Sequence, residues 1–347
     1  MDLTRRSVLG GAGAGIIAGL AGCLSEPGGG SGDQNVGDGS DRGYAAFFTL
    51  ADWVGEITGD RMTVQQAVSA GEAGHGWQPP SDLVLDVADS GLFVYLDTPE
   101  FSWAQDLAAQ VREEDLAVVD ALEALDEDQL LDWDGERGHH HEQEDHEEEN
   151  HEKEDDHQNE QGDEFYDPHV WVDPVLAIDI VEYLGNELGD LDPDNADFYG
   201  ENVNAYRERL ESVDGQFREH VDGSDNEVAV FAGHDSFRYL EARYGFDLHS
   251  PRGVTPDAEP SPDEIAETIE LVDDNDIEVI LYDPFDTPDD TPPPLAQRII
   301  DSTDAKKARP LSPAEGTTGE WQEQGWGWVE QMEEINIPSL RAALNGS

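Results

Sequence analysis

The 347-residue chain has one cysteine, Cys23, and three lysines, Lys153, Lys306 and Lys307. A single cysteine excludes a disulfide framework. With 18 Lys+Arg against 81 Asp+Glu, the formal net charge is -63, which argues against a nucleic-acid partner. No HExxH or other spaced catalytic signature occurs. What is abundant is acid, spread over every segment, together with 37% hydrophobic residues in periodic patterns. That combination describes a salt-adapted soluble protein rather than an acidic disordered one. At molar salt the Debye length falls to about 3 Å and screens the self-repulsion of such a surface.

Six of the eleven histidines, His139, His140, His141, His146, His151 and His157, lie in an acidic stretch (138–164) without one aliphatic residue. Such a segment cannot bury apolar surface and is expected to be a mobile loop. Imidazoles mixed with carboxylates suit a borderline divalent cation such as Zn²⁺.

The N-terminus carries Arg5-Arg6 before an apolar, glycine-rich run, Ser7–Gly22, which reads as a twin-arginine export signal. It ends Leu20-Ala-Gly-Cys23, a lipobox that makes Cys23 the lipid-modified first residue of the mature protein. Residues 1–23 are then signal, and 24–43 a flexible tether rich in Gly, Ser and Asp. From 44 to 174 helical and strand-like pieces alternate in the βαβ rhythm of a parallel sheet. Met62–Val68 and Gly91–Leu96 read as strands in this lobe, which includes the His-rich loop. Residues 175–225 form a helical connector: Phe198, Val203, Tyr206, Leu210, Val213 and Phe217 make one apolar stripe on a long helix. The βαβ rhythm restarts over 226–347, with strands at Glu227–Ala232 and Ile277–Tyr282 and helices at Ser236–Tyr244, Ser261–Asn275 and Leu295–Ser302. The expected fold is α/β, two lobes with parallel sheets flanked by helices and joined by one long helix.

Outside the loop remain His75, His169, His220, His234 and His249. His75 follows the strand Met62–Val68 and His234 follows Glu227–Ala232, positions where open α/β sheets bind ligands. His169 stands between the His-rich loop and Pro174. His220 and His249 read as surface residues.

Four motifs carry a family resemblance: His75-Gly-Trp-Gln-Pro-Pro80, Asp167-Pro-His-Val-Trp-Val-Asp-Pro174, Gly233-His-Asp-Ser-Phe237 and Glu259-Pro-Ser-Pro262. In this order, from about Phe47 to the C-terminus, the chain resembles the zinc and manganese solute-binding proteins of metal-import ABC transporters, a family of metal receptors that includes adhesins. Asp-Pro-His-x-Trp directly after a His-rich acidic loop is the mark of the zinc branch. The resemblance implies a cation held between the lobes by His75, His169 and His234. The His-rich loop corresponds to the family's auxiliary segment, which collects or senses zinc. In the manganese branch a carboxylate stands at the His234 position, and an Asp follows the last strand. Here Leu311-Ser-Pro-Ala-Glu-Gly316 offers Ser312 at that place, so the fourth ligand is water, Glu315 or Asp283. Gln78 stands where relatives often have Glu. Three imidazoles favour Zn²⁺ over Mn²⁺, which takes more oxygen. Partners for the outer imidazole nitrogens are expected among Asp235, Asp173 and Glu259.

The reading is an extracytoplasmic, non-enzymatic lipoprotein receptor, monomeric and anchored through Cys23 to the outer face of the membrane. It captures Zn²⁺ and delivers it to an ABC permease and its ATPase. Alternatives are a manganese or other divalent-metal receptor of the same family and a three-His zinc hydrolase.

Overall fold

The computed structural model describes residues 41–70, 74, 77–112, 116–132, 166–221, 224, 226–253, 259–287 and 291–345. The expected export signal with Cys23, the expected tether up to residue 40, His75 and the His-rich stretch 138–164 lie outside the described residues.

Among the described residues there are eight strands, and short apolar or β-branched runs supply about half of them. They are β1 (Arg42–Ala45), β2 (Thr63–Gln66), β3 (Leu92–Tyr95) and β4 (Ala117–Asp120), then β5 (Val228–Phe231), β6 (Asp247–His249), β7 (Val279–Tyr282) and β8 (Lys307–Pro310). They form two four-stranded sheets, ordered β2-β1-β3-β4 and β6-β5-β7-β8. Every pairing is parallel. Parallel neighbours need crossovers, and helices provide them. In the first half these are α1 (Phe48–Thr58), α2 (Leu83–Ala88) and α3 (Ser102–Val111). The interior strands β3 (Leu-Phe-Val-Tyr) and β7 (Val-Ile-Leu-Tyr) are buried at every position, as strands covered on both faces must be. These were the strands most visible in the sequence. β1, β4, β6 and β8 are not among the strands named from the sequence; Arg-Gly-Tyr-Ala, Asp-Leu-His and Lys-Ala-Arg-Pro owe their strand form to the ladders they join, whereas β4, Ala-Val-Val-Asp, is a short apolar run. β1 also begins within the expected tether. β2 is confined to Thr63–Gln66, shorter than Met62–Val68.

Between the sheets lie two long helices, α4 (Pro174–Leu191) and α5 (Ala196–Val221). Asp173 caps α4 by accepting the Val175 N–H at 2.8 Å, and Pro174 occupies the first turn, where no N–H is missed. α5 has 26 residues, about 39 Å at 1.5 Å per residue. Its buried stripe, Tyr199, Val203, Tyr206, Leu210, Val213, Phe217 and Val221, follows the expected one from Val203 to Phe217, but Tyr199 rather than Phe198 is the buried residue at its start. Near its start α5 is tied to α1: Asn202 donates to the Ile57 carbonyl at 2.9 Å and Tyr206 to Asp52 at 3.3 Å. Further along, Asp214 accepts from the Tyr244 hydroxyl at 3.0 Å.

The second half adds α6 (Arg238–Tyr244), α7 (Pro262–Asp274), α8 (Pro294–Ser302) and α9 (Gly319–Gln324). α6 begins at Arg238, not Ser236, because residues 233–237 run as an irregular loop. The closing helix is α10 (Trp328–Gln331), a π turn (Met332–Asn336) and α11 (Ile337–Asn345) in succession. Arg209 and Gln216 of α5 hold it through Glu330 at 2.6 Å and Glu333 at 2.8 Å. One apolar core runs from Tyr44 to Leu344 and takes in residues of both sheets, with Trp53, Trp171 and Trp328 wholly buried. A smaller cluster, around Ile280, Ile299 and Val272, lies under α7 and α8. Among the described residues no helix is long and apolar enough to cross a membrane.

Candidate metal centre

Three of the predicted ligands stand just past strand ends. His234 follows β5 through Ala232-Gly233, Asp283 follows β7 directly, and Glu315 lies in the loop after β8. The first turn of α1, which follows β1, touches the loop after β8: the Phe48 N–H donates to the Glu315 carbonyl at 3.3 Å, and the Thr49 hydroxyl donates to the Ala314 carbonyl. The carboxyl ends of the two sheets are therefore brought together, the place where open α/β sheets bind ligands. His169 arrives differently, at the start of the 3₁₀ turn Val170–Val172 that leads into α4.

His169 and His234 meet, with Nε2 to Nε2 at 3.3 Å. His169 has no solvent exposure and His234 has 5%. Nδ1 of His169 lies 2.8 Å from Oδ1 of Asp167, which also accepts the His169 N–H at 3.0 Å. Burial pushes the Asp167 carboxyl upward, but His169 and Arg238 outweigh it and hold the group below the usual carboxylate range. An ionised carboxylate only accepts, so Nδ1 carries a proton and Nε2 is the ring nitrogen turned toward His234. Asp167 is itself fixed: Tyr239 donates to its carbonyl at 2.8 Å, and Arg238 lies 3.5 Å from Oδ2. On its other side the His169 ring packs against Trp171, centroids 5.2 Å apart.

His75 lies outside the described residues, but its neighbour Gly74 is buried and its carbonyl accepts the Trp103 indole N–H at 3.1 Å. A β-carbon at Gly74 would stand 2.8 Å from Phe101, so only glycine fits there. Phe101 packs on Phe47 and Trp171, at 5.1 and 5.8 Å between centroids. The residue before His75 is thus two aromatic rings from His169. Glu315 and Asp283 are both buried. Burial, then Asp286 and Glu315, push the Asp283 carboxyl well above its ordinary range, and its Oδ1 accepts the Phe285 N–H at 2.8 Å. Among the described residues no three His, Cys, Asp or Glu side chains converge closely enough to hold an ion, so His169–His234 is the described nucleus of the site.

Residues 44–342 match the family model described as zinc-uptake complex component A, periplasmic. The chain belongs to this family. It is 28% identical over 315 residues to the zinc-binding lipoprotein AdcA of Streptococcus pneumoniae, covering 89% of this chain and 57% of that one. The chain thus spans little more than half the length of that relative. The high-affinity zinc uptake system protein ZnuA of Bacillus subtilis is 25% identical, with 86% of each chain covered. The Zn(II)-bound ZnuA-like domain of S. pneumoniae AdcA superposes with a TM-score of 0.68 at 25% identity, covering 88% of this chain and all of that domain.

Within this family fold, several sequence expectations change. The partner of His169 is Asp167, two residues upstream, and not one of the expected Asp235, Asp173 and Glu259. The signal was present in Asp-Pro-His: aspartate side chains bond backbone two residues on, which places the carboxylate beside the ring. Asp173 instead caps α4 and accepts from Arg243 at 2.7 Å, and Glu259 is exposed. Asp235 donates its backbone N–H to the Gly253 carbonyl at 2.7 Å. Ser312 is fully buried, and its hydroxyl donates to Gln331 Oε1 at 2.6 Å. His220 and His249 are half-buried rather than surface residues, His249 standing 2.9 Å from Thr268 Oγ1. Gln78 is exposed.

Proposed function

We propose that this protein is the extracytoplasmic receptor of a metal-import ABC transporter, binding Zn²⁺ as cargo through His75, His169 and His234 between two sheet-centred lobes (44–174 and 226–347) bridged by residues 175–225. The observation that carries the reading is the 3.3 Å gap between two imidazole nitrogens. Two nitrogens at 2.0–2.1 Å from a tetrahedral Zn²⁺ stand about 3.3 Å apart. The carboxylate behind His169 is the outer support that zinc-bound imidazoles take. For the fourth position Glu315 is favoured over Asp283, because Asp283 already accepts a backbone N–H and its surroundings favour the neutral form. Binding and release of the ion need no group to react, so the protein is read as a receptor and not an enzyme.

Cys23 anchors the receptor to the outer membrane face, and the monomer hands zinc to a permease driven by its ATPase. His139, His140, His141, His146, His151 and His157 act as an auxiliary collecting or sensing segment, and the acidic surface suits high salt. The test is a titration of metal-stripped protein with Zn²⁺ in high salt. One tight site is expected, and replacing His75, His169 and His234 together by alanine should abolish it; persistence of the tight site in that variant would overturn the assignment.

A further inference from the structure

Five consecutive carbonyls in the loop after β8 each have a donor from elsewhere. The Ser312 carbonyl accepts from Asn336 at 2.8 Å, Pro313 from the Trp171 indole at 2.7 Å, Ala314 from Thr49, Glu315 from the Phe48 N–H at 3.3 Å and Gly316 from Gln331 at 3.1 Å. The Ser312 N–H donates back to Asn336 Oδ1 at 2.7 Å. Ala314, immediately before Glu315, has φ of 57°, a left-handed conformation that a non-glycine residue adopts only when its surroundings impose it. Ser312, Gln331 and Asn336 have no solvent exposure.

Gln331 and Asn336 reach the same loop because of the π turn. At 3.6 residues per turn, side chains five apart point about 140° away from each other. From Met332 the helix closes one step wider, the Ile337 N–H donating to the Met332 carbonyl, and five-residue neighbours then stack on one face. Ser312 sits between the two amides, its Oγ donating to Gln331 and accepting the Ala314 N–H at 3.1 Å.

We propose that Ser312, Gln331 and Asn336 are positioning residues that, through the π turn, lock the backbone on either side of Glu315 and so fix where its carboxylate meets the metal. This rests on the reading of Glu315 as fourth ligand.

Co²⁺, whose visible absorption reports coordination number and geometry, is the probe, beside Zn²⁺ affinity by chelator competition. Asn336→Ala should weaken Zn²⁺ binding by about tenfold, as loss of an outer-shell support does. Its Co²⁺ spectrum should move toward that of Glu315→Gln, and in a Glu315→Gln background it should have no further effect. Ser312→Ala, which barely changes volume, should shift the spectrum in the same direction and keeps the test open if Asn336→Ala does not fold. A lowered Tm with wild-type spectrum and affinity in the Asn336 and Ser312 variants, while Glu315→Gln alters both, would overturn the positioning role alone. A silent Glu315→Gln would overturn both this role and the fourth-ligand assignment, while leaving the histidine pair standing.

Discussion

Asp167 carries more of the site's geometry than its place two residues from a histidine suggests. Asp167→Asn leaves size and packing nearly unchanged but allows His169 to lose its fixed tautomer. Zinc affinity by calorimetry should then fall about tenfold or more. His169→Ala, which removes an inner ligand, should cost at least as much. A second buried acid, Asp52, predicts a different pH response. Asp52 accepts the Trp328 N–H at 2.9 Å, and burial, with Glu56 and Glu330, pushes its carboxyl up to about 7. The folded state then holds a proton that the unfolded chain has lost between pH 4 and 7, so this residue's contribution to stability declines as pH rises through that window. Thermal melts across pH 4–8 should show a flatter slope for Asp52→Asn than for the parent protein.

Among the elements, the α4–α5 hairpin is the one most exposed to a single methyl group. A β-carbon at Gly185 would lie 2.4 Å from Val203 Cγ2. Gly185→Ala should force these helices apart and cost about 1–3 kcal/mol, measured by denaturant unfolding. The long helices were legible because their apolar stripes repeat over many turns, and β3 and β7 because burial on both faces demands uniform apolar runs. β1 and β8 are as long as the other strands and β6 is barely shorter, but all three carry charged or small residues in place of an apolar run, so no local pattern marks them. The same holds at the site. Histidines after strands could be read, whereas the frame around Glu315 comes from residues 24 positions apart and from a helix defect without a sequence period.

For the whole molecule, composition and length suggest how the described fold is used. In high salt, deletion of residues 138–162 should remove weak zinc sites from a titration and leave one tight site. Cys23→Ser should move the protein from the membrane fraction to the soluble one, and unchanged retention would point to an uncleaved anchor. The two sheets share one main core beside the smaller cluster under α7 and α8: Trp328 bonds the Trp171 carbonyl at 2.9 Å, packs against Trp53 at 6.1 Å, and lies in the same core as inward residues of β5 and β7. Halves sharing one interior cannot swing like a jaw without exposing it to water. Under the receptor function proposed above, loading and emptying would then have to proceed by local movements at the site rather than by wholesale separation of the halves.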